Sequence, residues 1–209
     1  MKTRSIALLL SFFLSSYLWA QDKSAFPSQQ LQLMFERSKH GSGDVIGISF
    51  GFDYLKYITG KLLWEIELGG TLHDGYQPLF YTNSNGQITD GSVRWTTGGI
   101  QITGNMGYSI VRSKHHEFQI KAGPLVRYQS SSYYDYLTIL YPAATGLPNP
   151  VLYFANTEPA RTLSIGGNGA LCYSYTFTNR FVVGIRPAFQ IDSNGDTISQ
   201  IGFVVGKKF

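Results

Sequence analysis

A two-residue period runs through almost the whole of this chain and limits its fold more than any other feature. Successive side chains of a β-strand point to opposite faces, so regular alternation marks a strand with two different sides. In DVIGISFGFDY, Ile46, Ile48, Phe50, Phe52 and Tyr54 share one face, and Gly47, Ser49, Gly51 and Asp53 the other. In LLWEIELGGTL, Leu62, Trp64, Ile66 and Leu68 oppose Glu65, Glu67 and Gly69. The pattern recurs over 100–110, 118–128, 163–175, 181–191 and 201–209, and more weakly in QLQLMFER, where Leu31, Leu33 and Phe35 align. About eight strands result, each near the length that crosses a bilayer at a tilt.

The connections alternate in length. ITGK, RSKHH, TFTN and SNGD are short, and Asn194-Gly195 is a hairpin signal. Long segments run from about His73 to Gly91 and from about Ser131 to Ala160, and SKHGSG is intermediate. Short turns at one end and long loops at the other predict an all-β, closed antiparallel up-and-down transmembrane barrel. An even strand number returns both termini to the periplasmic side.

Alternation alone does not say which face is outside, since a soluble barrel alternates with its apolar face inward. Three features favour the apolar face outside. The polar face is mostly Gly, Ser, Thr, Asn and Gln, which suit a narrow interior filled by side chains. Its charges have both signs, Asp53, Glu65 and Glu67 against Lys121, Arg127 and Arg186, so an internal ion network is expected. Finally, Tyr54, Trp64, Tyr108, Phe118, Tyr173, Tyr175, Phe181 and Phe209 fall near the turn ends of their strands on the apolar face, as an interfacial aromatic girdle does. Charged residues are only 14% of the chain and form no dense basic run, so nucleic-acid binding is not expected.

The first residues set the compartment. Lys2 and Arg4 precede the apolar run IALLLSFFLSSYLWA, with Ala20 at its end. This predicts a secretory signal peptide over 1–20, a short periplasmic segment over 21–28 and the barrel over 29–209. After residue 20 no stretch of 18 apolar residues occurs, so no helical span is expected. The single cysteine, Cys172, has no disulfide partner in the chain and reads as a small buried hydrophobe. Pro124 and Pro187 fall inside strands, and each is expected to mark a bulge or a strand irregularity.

Together the signal peptide, the strand pattern, the loop alternation and the ending FVVGKKF resemble the small eight-stranded outer-membrane barrels of Gram-negative bacteria, the OmpA/OmpX-type family. The resemblance implies an outer-membrane location, contact with lipid and lipopolysaccharide, and handling by the barrel-assembly machinery. It also implies that Phe209, with Val205 and Phe203 on the same face, is the assembly signal; Lys207 stands where an apolar residue is usual. Members of such a family serve as anchors, adhesins, narrow channels or lipid-modifying enzymes, so the fold does not choose among functions.

Little in the sequence carries chemistry. No zinc spacing, phosphate loop or nucleophile elbow occurs, and neither a metal nor a cofactor is expected. His115 and His116 read as a solvated turn, and His73-Asp74 as a loop entry at the outer mouth. His40 and Ser42 have the His-x-Ser spacing of lipid A deacylase barrels, but are expected in a glycine-rich loop with no fixed acid partner. The most unusual segment is the long loop after Ser131. Tyr133, Tyr134, Tyr136, Tyr141, Tyr153 and Phe154 there form a candidate contact surface for a partner or surface polymer, or else pack on one another. The expected role is structural or surface-binding, adhesin-like and without catalytic chemistry; the alternatives are a lipid-modifying enzyme and a narrow solute channel.

Overall fold

The computed structural model describes residues 26–41, 45–155 and 160–209. The expected signal peptide, most of the expected segment preceding the barrel, and Ser42 lie outside the described residues. Eight long strands form the wall: β1 (Gln29–His40), β2 (Val45–Tyr57), β3 (Leu62–Gln77), β6 (Val93–Arg112), β7 (His116–Ser131), β10 (Ala160–Thr176), β11 (Phe181–Asp192) and β12 (Thr197–Lys208). The remaining elements are β4 (Phe80–Thr82), β5 (Ile88–Asp90), β8 (Tyr136–Leu140) and β9 (Val151–Ala155), with one helical turn, α1 (Pro142–Thr145). No helix among the described residues is long and apolar enough to cross a membrane.

Each wall strand pairs antiparallel with its neighbour in sequence, and β12 returns to β1, with Leu33 opposite Val205 and Phe35 opposite Phe203. Closure leaves no unpaired sheet edge, which is what allows strands to cross hydrocarbon. One end holds both ends of the barrel and three turns; Thr59 Oγ1 accepts from the Leu62 amide and Asn179 Oδ1 from the Phe181 amide. We call this the turn end. At the other, the loop end, β11 meets β12 through Gly195 at φ 79°, a left-handed conformation that glycine adopts at no steric cost.

The apolar face is outside. Phe35, Leu163 and Phe203 are 63%, 69% and 67% exposed, and all eight wall strands present large hydrophobics outward. A water-soluble barrel could not carry such a belt, so the wall is built to face lipid. The interior is mixed. Met34, Cys172 and Val204 form one buried cluster, Leu55, Tyr57 and Leu63 another, and polar and charged side chains fill the rest.

Each proline marks a strand irregularity rather than a bulge. Pro124 pairs with Gly167 of β10, and Pro187 with Ile201 of β12. On the opposite side of each proline the ladder lapses, between Thr103/Leu125 and Met106/Ala122 and between Ala170/Ala188 and Tyr173/Ile185. Pairing then resumes in the same register, because the rest of each strand holds it in a closed wall. The actual register shift lies between Ser109 and Val111 on β6.

The two long loops are ordered outside the wall. β4 and β5 form one hairpin, turned at Gly86 and tied by Asn83 Oδ1 accepting from the Gln87 amide. β8 and β9 form a second hairpin, and the Ser84 hydroxyl joins the two loops by donating to the Pro148 carbonyl. The rim therefore stands tall at these two loops, while the turn from β11 to β12 stays low.

Candidate functional site at the barrel mouth

The interior is stacked in layers of paired charge. At the turn end, Lys208 Nζ lies 2.6 Å from Glu117, which also accepts from the Tyr57 and Ser109 hydroxyls. In the middle, Lys121 pairs with Glu65, and Asn105 donates to the same carboxylate at 3.0 Å. Arg186 bridges Glu36 at 2.8 Å and Glu67 at 2.7 Å, and Gln32 donates to Asp53 at 2.7 Å. Higher up, Arg127 lies 3.0 Å from Asp192 and also donates to Gln101 and Gln190.

Asp53, Glu65, Glu67, Lys121, Arg127 and Arg186 are thus all buried inside the barrel. Oxygens of Asp53, Glu65 and Glu67 come within 4.8 Å of one another, a spacing that could hold a cation. Lys121 and Arg186 already stand among them, so side chains supply the positive charge. Sequence reasoning did not single out Glu36 and Asp192, which pair with Arg186 and Arg127, or the separate pair of Glu117 and Lys208. Their signal was available, since each shares the inward phase of its strand.

The mouth above this stack is where chemistry concentrates. A cavity of about 420 Å³ is bounded by His40, His73, Asp196, Gln129, Trp95 and Tyr133, with Val45, Thr97 and Ser131. Its location follows from the uneven rim: β3, β6 and β7 rise past the ends of β1 and β12 and make its back wall. His73 is buried within β3, and its Nε2 lies 2.9 Å from the Ser38 hydroxyl. The His40 ring meets the His73 ring edge-on at 5.3 Å. Asp196 lies 3.6 Å from His40 Nε2 and accepts from Gln129 at 3.0 Å. Trp95 leans across Gly75, where an added Cβ would lie 2.0 Å from the indole, so the glycine makes room for the ring.

Two sequence expectations are corrected here. His40 is not in a loop without an acid neighbour; it ends β1, points inward and faces Asp196. His73 does not begin a loop, because β3 continues four residues beyond it. The pairing of Ser38 with His73 resembles a nucleophile and base, yet His73 Nδ1 has no hydrogen-bond partner among the described residues and Ser38 is 1% exposed. The group that would orient the imidazole is missing, and the hydroxyl is closed to substrate. The mouth instead offers hydrogen-bonding groups of mixed type below an aromatic wall, an arrangement for binding.

Above the rim, Tyr133 stacks on Tyr134 at 4.4 Å and meets Trp95 edge-on at 4.9 Å. Tyr134 is half-buried, donates to Gln77 and lies against Phe154. Burial, and after it the Tyr133 hydroxyl, push its phenol up to about 12. Tyr136, Tyr141 and Tyr153 remain exposed, with Tyr136 and Tyr153 in edge contact at 5.9 Å across the β8–β9 hairpin.

At the turn end, Tyr54 and Trp64 meet edge-on at 5.4 Å, and Tyr108, Phe118 and Phe181 lie on the outer face. His115 and His116 are not a merely solvated turn. His115 stacks on Tyr175 and His116 on Tyr173, whose hydroxyl is 2.8 Å from His116 Nδ1, and Phe177 continues this row. Phe203, Val205 and Phe209 also face outward.

Neither a protein-family model nor a curated protein sequence matches the chain. Solved structures do. Ail, the attachment invasion locus protein of Yersinia pestis, aligns over 88% of this chain and 100% of its own, with a TM-score of 0.50 and 7% identity. The same protein in complex with the heparin analogue sucrose octasulfate gives a TM-score of 0.51 at 6% identity over the same shares. Neisserial surface protein A aligns over 87% of this chain and 96% of its own, with a TM-score of 0.53 and 12% identity. At these identities the likeness is one of fold: the wall is that of the small eight-stranded outer-membrane barrels.

Proposed function

We propose that this protein is a Gram-negative outer-membrane barrel with a surface-binding, adhesin-like role, and that its mouth and long loops make the contact. The observation that carries this reading is the contrast between the two parts of the molecule. The interior is blocked by paired charges, while the mouth keeps an open cavity of about 420 Å³ walled by Trp95 and Tyr133. Hydrogen-bonding groups beneath aromatic rings suit a polar ligand with apolar faces, such as a surface saccharide. Solved structures of this fold include an attachment protein and its complex with a heparin analogue, which supports a surface role.

In this reading residues 1–20 are a signal peptide, the turn end faces the periplasm and the tall loops face outward. The aromatic girdle from Tyr54 to Phe209 sits at the periplasmic interface, against lipid. Phe209, Phe203 and Val205 meet the assembly machinery during insertion, and the outer leaflet around the wall is lipopolysaccharide. The test is binding of the refolded barrel in nanodiscs to a saccharide array and to host-cell surfaces. The wild type is expected to bind, and Trp95→Ala with Tyr133→Ala to lose at least tenfold while keeping the slow-migrating folded band on unboiled gels. Unchanged binding in that variant, or in one lacking 133–154, would end this reading.

A further inference from the structure

We propose that the turn end of the barrel is a binding surface for the phosphate headgroups of anionic phospholipid, centred on a pocket of about 450 Å³ between Pro27 and the turns at Lys114 and Thr178. Charge on this molecule is unevenly placed. Among the described residues, the turns and last two strand residues at this end carry seven Lys and Arg against one carboxylate, Glu117. The loop end differs: the same count there gives Asp90, Asp135, Asp192 and Asp196 against Lys39, Arg94 and Arg161. The whole chain is only +4, so the turn end holds more positive charge than the net.

Four of these cations converge on the pocket: Arg112, Lys114, Arg180 and Lys208. Arg112 is fixed in place, donating to the Gly60 and Pro27 carbonyls at 2.6 Å each and lying 3.4 Å over the Tyr57 ring. Lys208 shares Glu117 with it. Lys114 and Arg180 are exposed and pair with no acid among the described residues, so their charge is available to a ligand. Arg180 adopts φ 65°, the single positive φ at a described non-glycine residue. Asn or Gly would fill that turn position with less strain; the chain keeps a guanidinium there, which fits phosphate in two-pronged fashion.

Height selects lipid over a soluble polyanion. Two further cations of this end lie among its outward rings: Lys61 stands 5.9 Å over Tyr108 and Lys207 5.9 Å over Phe209. Aromatic rings of a membrane protein collect at headgroup level, so ammonium groups beside them reach phosphates rather than open water. The inference rests on the membrane reading above; the orientation decides only that the leaflet is the periplasmic one.

The test refolds the full barrel into vesicles of equal phosphatidylglycerol and phosphatidylcholine, extracts it in mild detergent and measures retained lipid by native mass spectrometry. The wild type is expected to retain phosphatidylglycerol at least tenfold over phosphatidylcholine. At about fivefold per charge near such a surface, K114Q with R180N should cut that preference on the order of tenfold or more, with the heat-shifted gel band unchanged. Arg94→Gln at the loop end should change nothing. Equal retention of the two lipids, or a preference untouched by K114Q with R180N, would overturn the proposal. So would displacement of the lipid by millimolar inorganic phosphate, which would make the site one for the free anion. Preferential capture of soluble peptidoglycan fragments would do the same. Loss of the heat-shifted band in the wild type would overturn the membrane reading along with this surface; a normal band with equal retention would overturn this surface alone.

Discussion

Replacing Arg186 by Met should destabilise the barrel by about 4 kcal/mol, because breaking a buried ion pair from one side leaves an uncompensated charge costing roughly 3–5 kcal/mol. The geometry places this case toward the upper end. Arg186 is wholly buried and serves two carboxylates at once, Glu36 at 2.8 Å and Glu67 at 2.7 Å. Some compensation remains, since Ser49 still donates to Glu36 at 3.0 Å and Gln101 reaches Glu67 at 3.5 Å. Replacing the whole group, with Glu36→Gln and Glu67→Gln added to Arg186→Met, removes the stranded charges and should restore all but about 1–2 kcal/mol. The assay is urea unfolding in lipid vesicles, followed by tryptophan fluorescence and by the folded band on unboiled gels. A loss below about 1 kcal/mol for Arg186→Met, or a triple variant no more stable than the single one, would refute the view that the interior is held by compensated charge.

Three further outcomes are expected. Gly202→Ala should impair closure of the barrel: the added Cβ would lie 2.1 Å from the Phe35 carbonyl oxygen on β1, and a loss of about 1–3 kcal/mol, the range for overpacking, should appear in the same unfolding assay. The refolded wild type should show no steady conductance in a planar bilayer, because Arg186 and Lys121 with their carboxylates cross the interior; a stable open current would contradict the packing described. Phe209→Ala should slow insertion into vesicles several-fold while changing equilibrium stability by only about 1 kcal/mol, measured as the rate of appearance of the folded band.

The barrel was legible in the sequence because a strand's period does not depend on its surroundings. Ile46, Ile48, Phe50 and Phe52 share a face wherever the strand is placed, and the short turns dictate which strands are neighbours. The same phase placed Asp53, Glu65 and Arg186 together inside. Phase does not reveal height. Whether Arg186 meets Glu36 or Glu67 depends on the stagger of strands far apart in sequence, and Glu36, 150 positions away, went unnoticed as a partner. The prolines were legible only in part for a related reason: one missing donor allows a bulge or a lapse in pairing, and the closed wall decides for the lapse, without a change of register.

The mouth was the least legible part. His40 and His73 lie on different strands, and Asp196 sits in a turn at the far end of the sequence. Their meeting is a product of closure, because β12 reaches the top of β1 only when β1 has curved around to receive it. The uneven charge of the two ends likewise needed the topology, which gathers Lys61, Lys114, Arg180 and Lys208 from four separate segments onto one rim. By itself the sequence determined the wall strands and their order, since alternation and turn length are local properties, and the small polar residues and charges of both signs on one face marked the other as the lipid face. Which charges pair, what the mouth encloses and where the cations converge were decided by tertiary structure alone, because each depends on the stagger that closes eight strands into a ring.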